Sequence, residues 1–175
     1  MSGIATSTHN MQKKTKTRIA ATRKTLWGLL DKKSVGIGGG LTHRLNLNDG
    51  VIIKDNHLKL ISHDFEKAIN SAKNKSKCIE MEVENKNQAL KAAIAIKKSI
   101  KKGNKNLYAI MLDKITPKEI KSIVKNLKNN NLHDCILLEA SGNINENNLK
   151  EYSDCGVDII SMGCITNSAK ALNMS

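Results

Sequence analysis

Four consecutive side chains that ionise or hydrogen-bond, Lys54, Asp55, Asn56 and His57, follow directly on the apolar run Val51, Ile52 and Ile53. A plain turn is served by Gly, Pro, Asn or Asp and has no use for a lysine and a histidine. These residue types instead suit a site at the end of a strand. Lys54 would hold an anionic group, with Asp55, Asn56 and His57 bracing it or shaping the loop. A lone lysine there can also form a Schiff base. The further cations Arg23, Lys24 and Arg44 favour anion binding, because a Schiff-base site needs one activated lysine rather than a basic cluster. Glu80, Glu82 and Glu84 alternate, so in a strand they share one face. Acids inside an apolar strand are unfavourable unless cations or a metal offset them. Asp113 closes another apolar run. Ser141 with Gly142, and Ser161 with Gly163, close two more, and backbone N–H groups in such small-residue turns bind phosphate when a helix follows. His43 and Arg44 lie just after a glycine-rich stretch.

These groups must be held by regular elements, and the sequence alternates accordingly. Apolar runs at 18–22, 51–54, 78–83, 107–112, 135–140 and 157–162 read as strands. Helical signals lie between them. Thr116, Pro117 and Glu119 form a capping box with proline at the first helical position, and Ile120, Ile123, Val124 and Leu127 follow on one face. Asn85 is placed to cap a helix whose inner face is Ala89, Ala93, Ile96 and Ile100. Leu149 and Tyr152 belong to a shorter helix that Gly156 can end. Strand–helix alternation predicts an α/β fold, a parallel sheet covered by helices. Six such units point to a (β/α) barrel, with a doubly wound open sheet as the alternative. In a parallel barrel, chemistry gathers at the carboxyl ends of the strands, with a phosphate site after the final ones. The stretch "GIGGG" (36–40) does not make a dinucleotide fingerprint, since the third glycine falls at Leu41. It reads as a flexible loop close to an anion.

Composition narrows the function classes. The 175 residues fit one domain, 1–175, with residues 1–17 as the remnant of a preceding helix or linker. Aromatic residues make up 2%, so the core must be aliphatic. The net charge of +13 suits anionic partners, but without aromatic stacking platforms nucleic acid is not the expected one. Cys78, Cys135, Cys155 and Cys164 show no zinc spacing. Cys78 and Cys135 read as small hydrophobes at or in apolar strands, which suits a reducing, cytoplasmic setting. No apolar run is long enough to span a membrane.

Eight motifs in order carry a resemblance. "SGIAT" (2–6), "TRKT" (22–25), "GGGLTHRLNL" (38–47), "IIKDNH" (52–57), "IEMEVEN" (79–85), "IMLD" (110–113), "LLEASG" (137–142) and "GVDIISMG" (156–163) together closely resemble the quinolinate phosphoribosyltransferase family. The resemblance implies an α/β barrel that packs with a separate sandwich domain, a pentosyltransferase activity, magnesium as cofactor and a dimer. The implied reaction joins quinolinate and phosphoribosyl pyrophosphate into nicotinate mononucleotide, pyrophosphate and CO2, a step of NAD biosynthesis. Arg23, Lys24, His43, Arg44 and Lys54 match the family's groups for the quinolinate carboxylates and part of the pyrophosphate. Glu82 and Asp113 match its acidic pair near ribose and metal. Ser141, Gly142 and Gly163 match its 5′-phosphate loops. Lys54, Glu82 and Asp113 are the expected catalytic residues.

Some positions depart from the family pattern. Leu26 and Trp27 stand where many members have Thr-Pro, Lys114 where asparagine is usual, Asn143 for a second glycine and Asn167 for a histidine. The resemblance also implies that "MSGIAT" lies mid-protein. The chain is therefore expected to be a barrel fragment or truncated product with little activity alone, the missing domain being supplied by another chain if at all. Two alternatives stay open: the molybdate-transport-associated paralog of the same fold, and an inactive barrel with a binding role.

Overall fold

The alternation becomes six strands and eight helices among residues 1–171, the part described in the computed structural model. In chain order they are α1 (Ser2–Lys13), β1 (Arg18–Ala21), α2 (Leu29–Ile37), β2 (Val51–Ile53), α3 (Asp55–Leu60), α4 (Phe65–Ala72), β3 (Cys78–Val83), α5 (Lys86–Lys101), β4 (Leu107–Asp113), α6 (Pro117–Asn129), β5 (Leu137–Ser141), α7 (Leu149–Ser153), β6 (Ile159–Met162) and α8 (Cys164–Asn167). Parallel strands alternating with helices are the elements of the expected α/β class. The chain forms two compact units, one of Met1–Leu45 with the stretch from Ser141, the other of Asn46–Ala140.

In the second unit the strand order is β5-β4-β3-β2, and β2–β3 and β3–β4 pair in parallel. Alternation gives this sheet two unlike faces. Ile79, Met81 and Val83 of β3 and Tyr108, Ile110 and Leu112 of β4 are fully buried. Helix α5 contacts both strands, and it and α6 bury their apolar stripes, Ala89, Ala93 and Ile96 on one, Ile120, Ile123, Val124 and Leu127 on the other. The Tyr108 hydroxyl meets Ser99 Oγ of α5 at 2.8 Å, which satisfies a buried polar group. The opposite face carries Glu80, Glu82, Met111 and Asp113. The capping expectations hold: Thr116 Oγ1 accepts from the Glu119 N–H, Glu119 reaches back to Thr116, and Asn85 accepts from the Gln88 N–H.

In the first unit β1 pairs with β6 in parallel, Ala20 opposite Ser161 and Ala21 opposite Met162. Leu41 adds a one-residue bridge to β1, accepting from Ala21 N at 2.9 Å and donating to Ile19 O at 2.7 Å. Helix α1 buries Ile4, Thr8 and Met11 and packs on α2.

Three local readings need correction. The "GIGGG" stretch is not a flexible loop. Gly36 ends within α2, Gly38 is its cap, and a Cβ on Gly38 would lie 2.5 Å from Ala5 O and one on Gly40 2.7 Å from Thr8 Cγ2. The glycines are there so that α1 and α2 can approach. Cys135 is exposed and precedes β5, which starts at Leu137. Asp55, Asn56 and His57 do not form a loop; they are the first turn of α3.

Candidate active-site residues at the strand ends

The second unit holds Lys54, Glu82 and Asp113. The β2–β3 register sets Ile53 opposite Met81, so Lys54 stands one step on, opposite Glu82. Parallel neighbours in register point the same way, and Lys54 Nζ meets Glu82 Oε2 at 2.6 Å. The Glu82 side chain is only 12% exposed, the Lys54 side chain 48%. The charge on the more buried carboxylate is thus matched from its solvent side. Asp113 lies two residues beyond Met111, which pairs with Glu82, so Asp113 shares that face. Lys114 Nζ approaches Asp113 Oδ2 at 3.8 Å.

The residues after Lys54 fix its backbone. Lys54 is the N-cap of α3, and its N–H donates to His57 Nδ1 at 3.0 Å. His57 takes the place that Glu or Gln fills in a capping box. With Nδ1 as the acceptor, the neutral imidazole carries its proton on Nε2. Asp55 and Lys59 pair one turn apart at 2.8 Å. That hydrogen bond from Lys59 holds the Asp55 carboxyl below its ordinary range and raises the Lys59 ammonium.

Sequence reasoning passed over one acid of this unit. Glu139 of β5 is buried, as is Glu80 of β3, and their carboxylate oxygens lie within 4.8 Å of each other. Both take part in further polar interactions. The signal was present: Glu139 alternates with Ser141 inside an apolar run, as Glu80 does with Glu82.

The first unit holds Arg23, Lys24, His43, Arg44, Ser141, Gly142 and Gly163. One step beyond the Ala21–Met162 pair the β1–β6 register sets Thr22 beside Gly163. A Cβ on Gly163 would lie 3.7 Å from Thr22 Oγ1 and 3.4 Å from Asn167 Nδ2, and the Gly163 φ of −69° suits any residue. Thr22 Oγ1 accepts from Lys24 N at 3.1 Å, and Thr166 Oγ1 donates to Lys24 O at 2.9 Å. The basic pair of "TRKT" is thereby tied to both strand ends. The following turn is pinned by the buried Asp31, which accepts from the N–H groups of Leu26 and Trp27 at 2.9 Å each. His43 and Arg44 follow Leu41, which is bridged to β1, and so run out beside the end of that strand. His43 has φ 55°, and its Nδ1 accepts from Arg44 N at 2.8 Å. The buried Lys32 donates to Thr42 O just before them. Neither Asp31 nor Lys32 stands out by spacing; only their burial reveals them.

Ser141 ends β5 and Gly142 follows with φ 92°, a conformation that favours glycine. No helix follows at once, contrary to the expectation, because α7 starts only at Leu149. A lattice of asparagines fills the interval. Asn148 Oδ1 accepts from Asn145 N at 2.8 Å, Asn145 Oδ1 from Asn147 N at 2.9 Å, and Asn148 Nδ2 donates to Asn143 O at 3.2 Å. Asn143 has φ 56°, which asparagine tolerates better than most side chains. That accounts for its standing where a glycine is usual. Glu146 is tied to Lys14 of α1, whose ammonium holds the carboxyl below its ordinary range.

Comparison with known proteins gives one answer. Residues 4–175 match the family described as quinolinate phosphoribosyl transferase, C-terminal domain. The probable nicotinate-nucleotide pyrophosphorylase (carboxylating) of Methanocaldococcus jannaschii is 40% identical, over all of this chain and 62% of its own length. The nicotinate-nucleotide pyrophosphorylase (carboxylating) of Mycobacterium leprae is 34% identical, over 99% of this chain and 59% of its own. The solved structure of NadC from Streptococcus pyogenes superposes with a TM-score of 0.81 at 30% identity, covering 98% of this chain and 57% of the other. The chain thus spans about 60% of the length of the curated relatives it matches.

Proposed function

The chain belongs to the quinolinate phosphoribosyltransferase family through the C-terminal domain, and on that premise we propose that it serves phosphoribosyl transfer to quinolinate with decarboxylation. The products are nicotinate mononucleotide, pyrophosphate and CO2, in NAD biosynthesis. The observation that carries the reading is the Lys54–Glu82 pair, a cation and a nearly covered acid in register at adjacent strand ends with Asp113 on the same face.

Charge dictates the roles. The quinolinate nitrogen attacks the anomeric carbon as pyrophosphate departs, and positive charge grows on the ribose. Glu82 and Asp113 offset that charge; Lys54 and Lys24 offset the charge on the leaving group. Arg23, His43 and Arg44 hold the quinolinate carboxylates, the arginines through paired parallel hydrogen bonds. Ser141, Gly142 and Gly163 take the 5′-phosphate through backbone N–H groups. Ring alkylation then makes the adjacent carboxylate leave as CO2, because the cationic ring stabilises the resulting carbanion.

Magnesium is the proposed cofactor. Two carboxylates, Glu82 and Asp113, suit a hard cation that keeps most of its waters and substrate phosphate oxygens. When bound, it supplies charge stabilisation for the pyrophosphate. A cytoplasmic homodimer completes the proposal. No helix among the described residues is long and apolar enough to cross a membrane. Leu26, Trp27, Leu29 and Leu30 lie exposed in succession, a surface suited to burial against further protein.

Calorimetric titration with quinolinate tests the reading, together with an assay for nicotinate mononucleotide. Saturable quinolinate binding supports it. Absence of that binding, with nucleic-acid affinity that falls steeply with salt, would replace it by a nucleic-acid role.

A further inference from the structure

Lys114 directly follows Asp113 at the carboxyl end of β4 and has φ 56°. The other described non-glycine residues with positive φ are His43, Ser62, His63, Asn131 and Asn143, so Lys114 is the one lysine among them. Asparagine and histidine enter this region comparatively easily, whereas a lysine has no short polar side chain to compensate the backbone crowding. A lysine that merely keeps the surface soluble has no reason to occupy such a position, and strain of this kind points to a function for the side chain.

The surroundings say what that function is. Lys54 is already committed to Glu82 at 2.6 Å. Lys114 is held only loosely, 3.8 Å from Asp113 and 68% exposed, so its ammonium can turn to an incoming anion without giving up a close pair. The pyrophosphate of the donor presents more anionic oxygens than Lys54 and Lys24, the lysines assigned to it above, can each contact. We propose that Lys114 is an additional anion-binding residue of the second unit that takes the pyrophosphate group of the donor. This rests on the phosphoribosyl-transfer reading above.

The test uses the full chain, inorganic pyrophosphate with magnesium as the probe, and the variants Lys114→Asn and Lys114→Arg. Lys114→Asn should melt higher by about 2 °C, since it relieves the left-handed backbone. The same variant should bind pyrophosphate about two- to fivefold more weakly, the range for a largely exposed ionic contact. Lys114→Arg should keep the wild-type affinity. The opposed movement of stability and affinity separates a ligand role from a structural one. Wild-type affinity in Lys114→Asn would overturn the proposal and leave the family reaction intact. Failure of the wild-type chain itself to bind pyrophosphate would overturn the proposal together with the reading on which it rests.

Discussion

Lys54 and Glu82 face each other one step beyond the Ile53–Met81 rung of the β2–β3 ladder, with Nζ and Oε2 2.6 Å apart. The pair joins the two signals that the sequence keeps separate, the lysine after one strand and the acid within the next. Because Lys54 is about half exposed, the pair does little for stability. Lys54→Met should destabilise the fold by only about 0.5–1 kcal/mol. In an enzyme assembled with a sandwich domain supplied from a relative, loss of a charge aimed at the reacting groups should lower turnover by about a hundredfold. Chemical denaturation and the nicotinate mononucleotide assay read the two effects. A large stability loss with unchanged turnover would make the pair a structural one.

His57 acts on Lys54 through the backbone. His57→Ala removes the acceptor of the Lys54 N–H and should cost about 1 kcal/mol, as loss of a cap does. His57→Gln should recover most of it, since glutamine fills the same place in a capping box. Thermal melts of both variants suffice. Equal losses in the two would show that the ring is needed for something other than its Nδ1.

In an enzyme assembled with a sandwich domain, Arg44→Ala should weaken quinolinate more than phosphoribosyl pyrophosphate. Loss of one charged partner of a carboxylate should cost about 1.5–3 kcal/mol for the ligand that carries it. Separate titrations of the two ligands decide. Equal weakening would assign Arg44 to the phosphates or to the backbone turn that begins at His43.

The Lys14–Glu146 pair should give the asparagine-rich turn an acid-sensitive component. The Glu146 carboxyl is held below its ordinary value of 4.5 by the Lys14 ammonium. A lowered folded value means a contribution that is complete above the ordinary range and lost as pH falls through the lowered value. Glu146→Gln should therefore melt below the wild type near neutral pH, with the gap closing as pH falls through the carboxyl's lowered range. A gap of constant size across that range would mean that the charge pair contributes nothing.

Gly40→Ala should be more costly than its size implies. The added Cβ would lie 2.7 Å from Thr8 Cγ2 and 2.9 Å from Val35 Cγ1, at the α1–α2 contact. Overpacking of this kind costs about 1–3 kcal/mol. Gly39→Ala tests a different cause, since φ there is 86° and no atom lies within 4 Å of the added carbon. Denaturant midpoints for the two variants separate a clash from a backbone penalty.

The local rules of the chain were legible in its residue order. Alternating and helical periods located the strands and the α5 and α6 stripes, because each repeats over two to four residues and needs no distant partner. Thr116 with Glu119 announced a helix start for the same reason. Glu80 and Glu82 were visible as acids on one strand face. Their partners were not, because partnership depends on strand order and register. Lys54 meets Glu82 across 28 residues of sequence, and Glu80 comes near Glu139 from another strand. The glycines at 38 and 40 looked like a loop until α1 folded onto α2, and Asp31 and Lys32, which no spacing singles out, are buried only in the folded chain. Asp113 was readable as a strand-end acid, whereas the positive φ of Lys114 beside it arises from how the chain must turn from β4 into α6. Composition and spacing determine which groups are available and on which element each is carried. Only the pairing of distant strands and the close approach of helices decide which charges meet, because those contacts are set by the whole chain's packing rather than by neighbours in sequence.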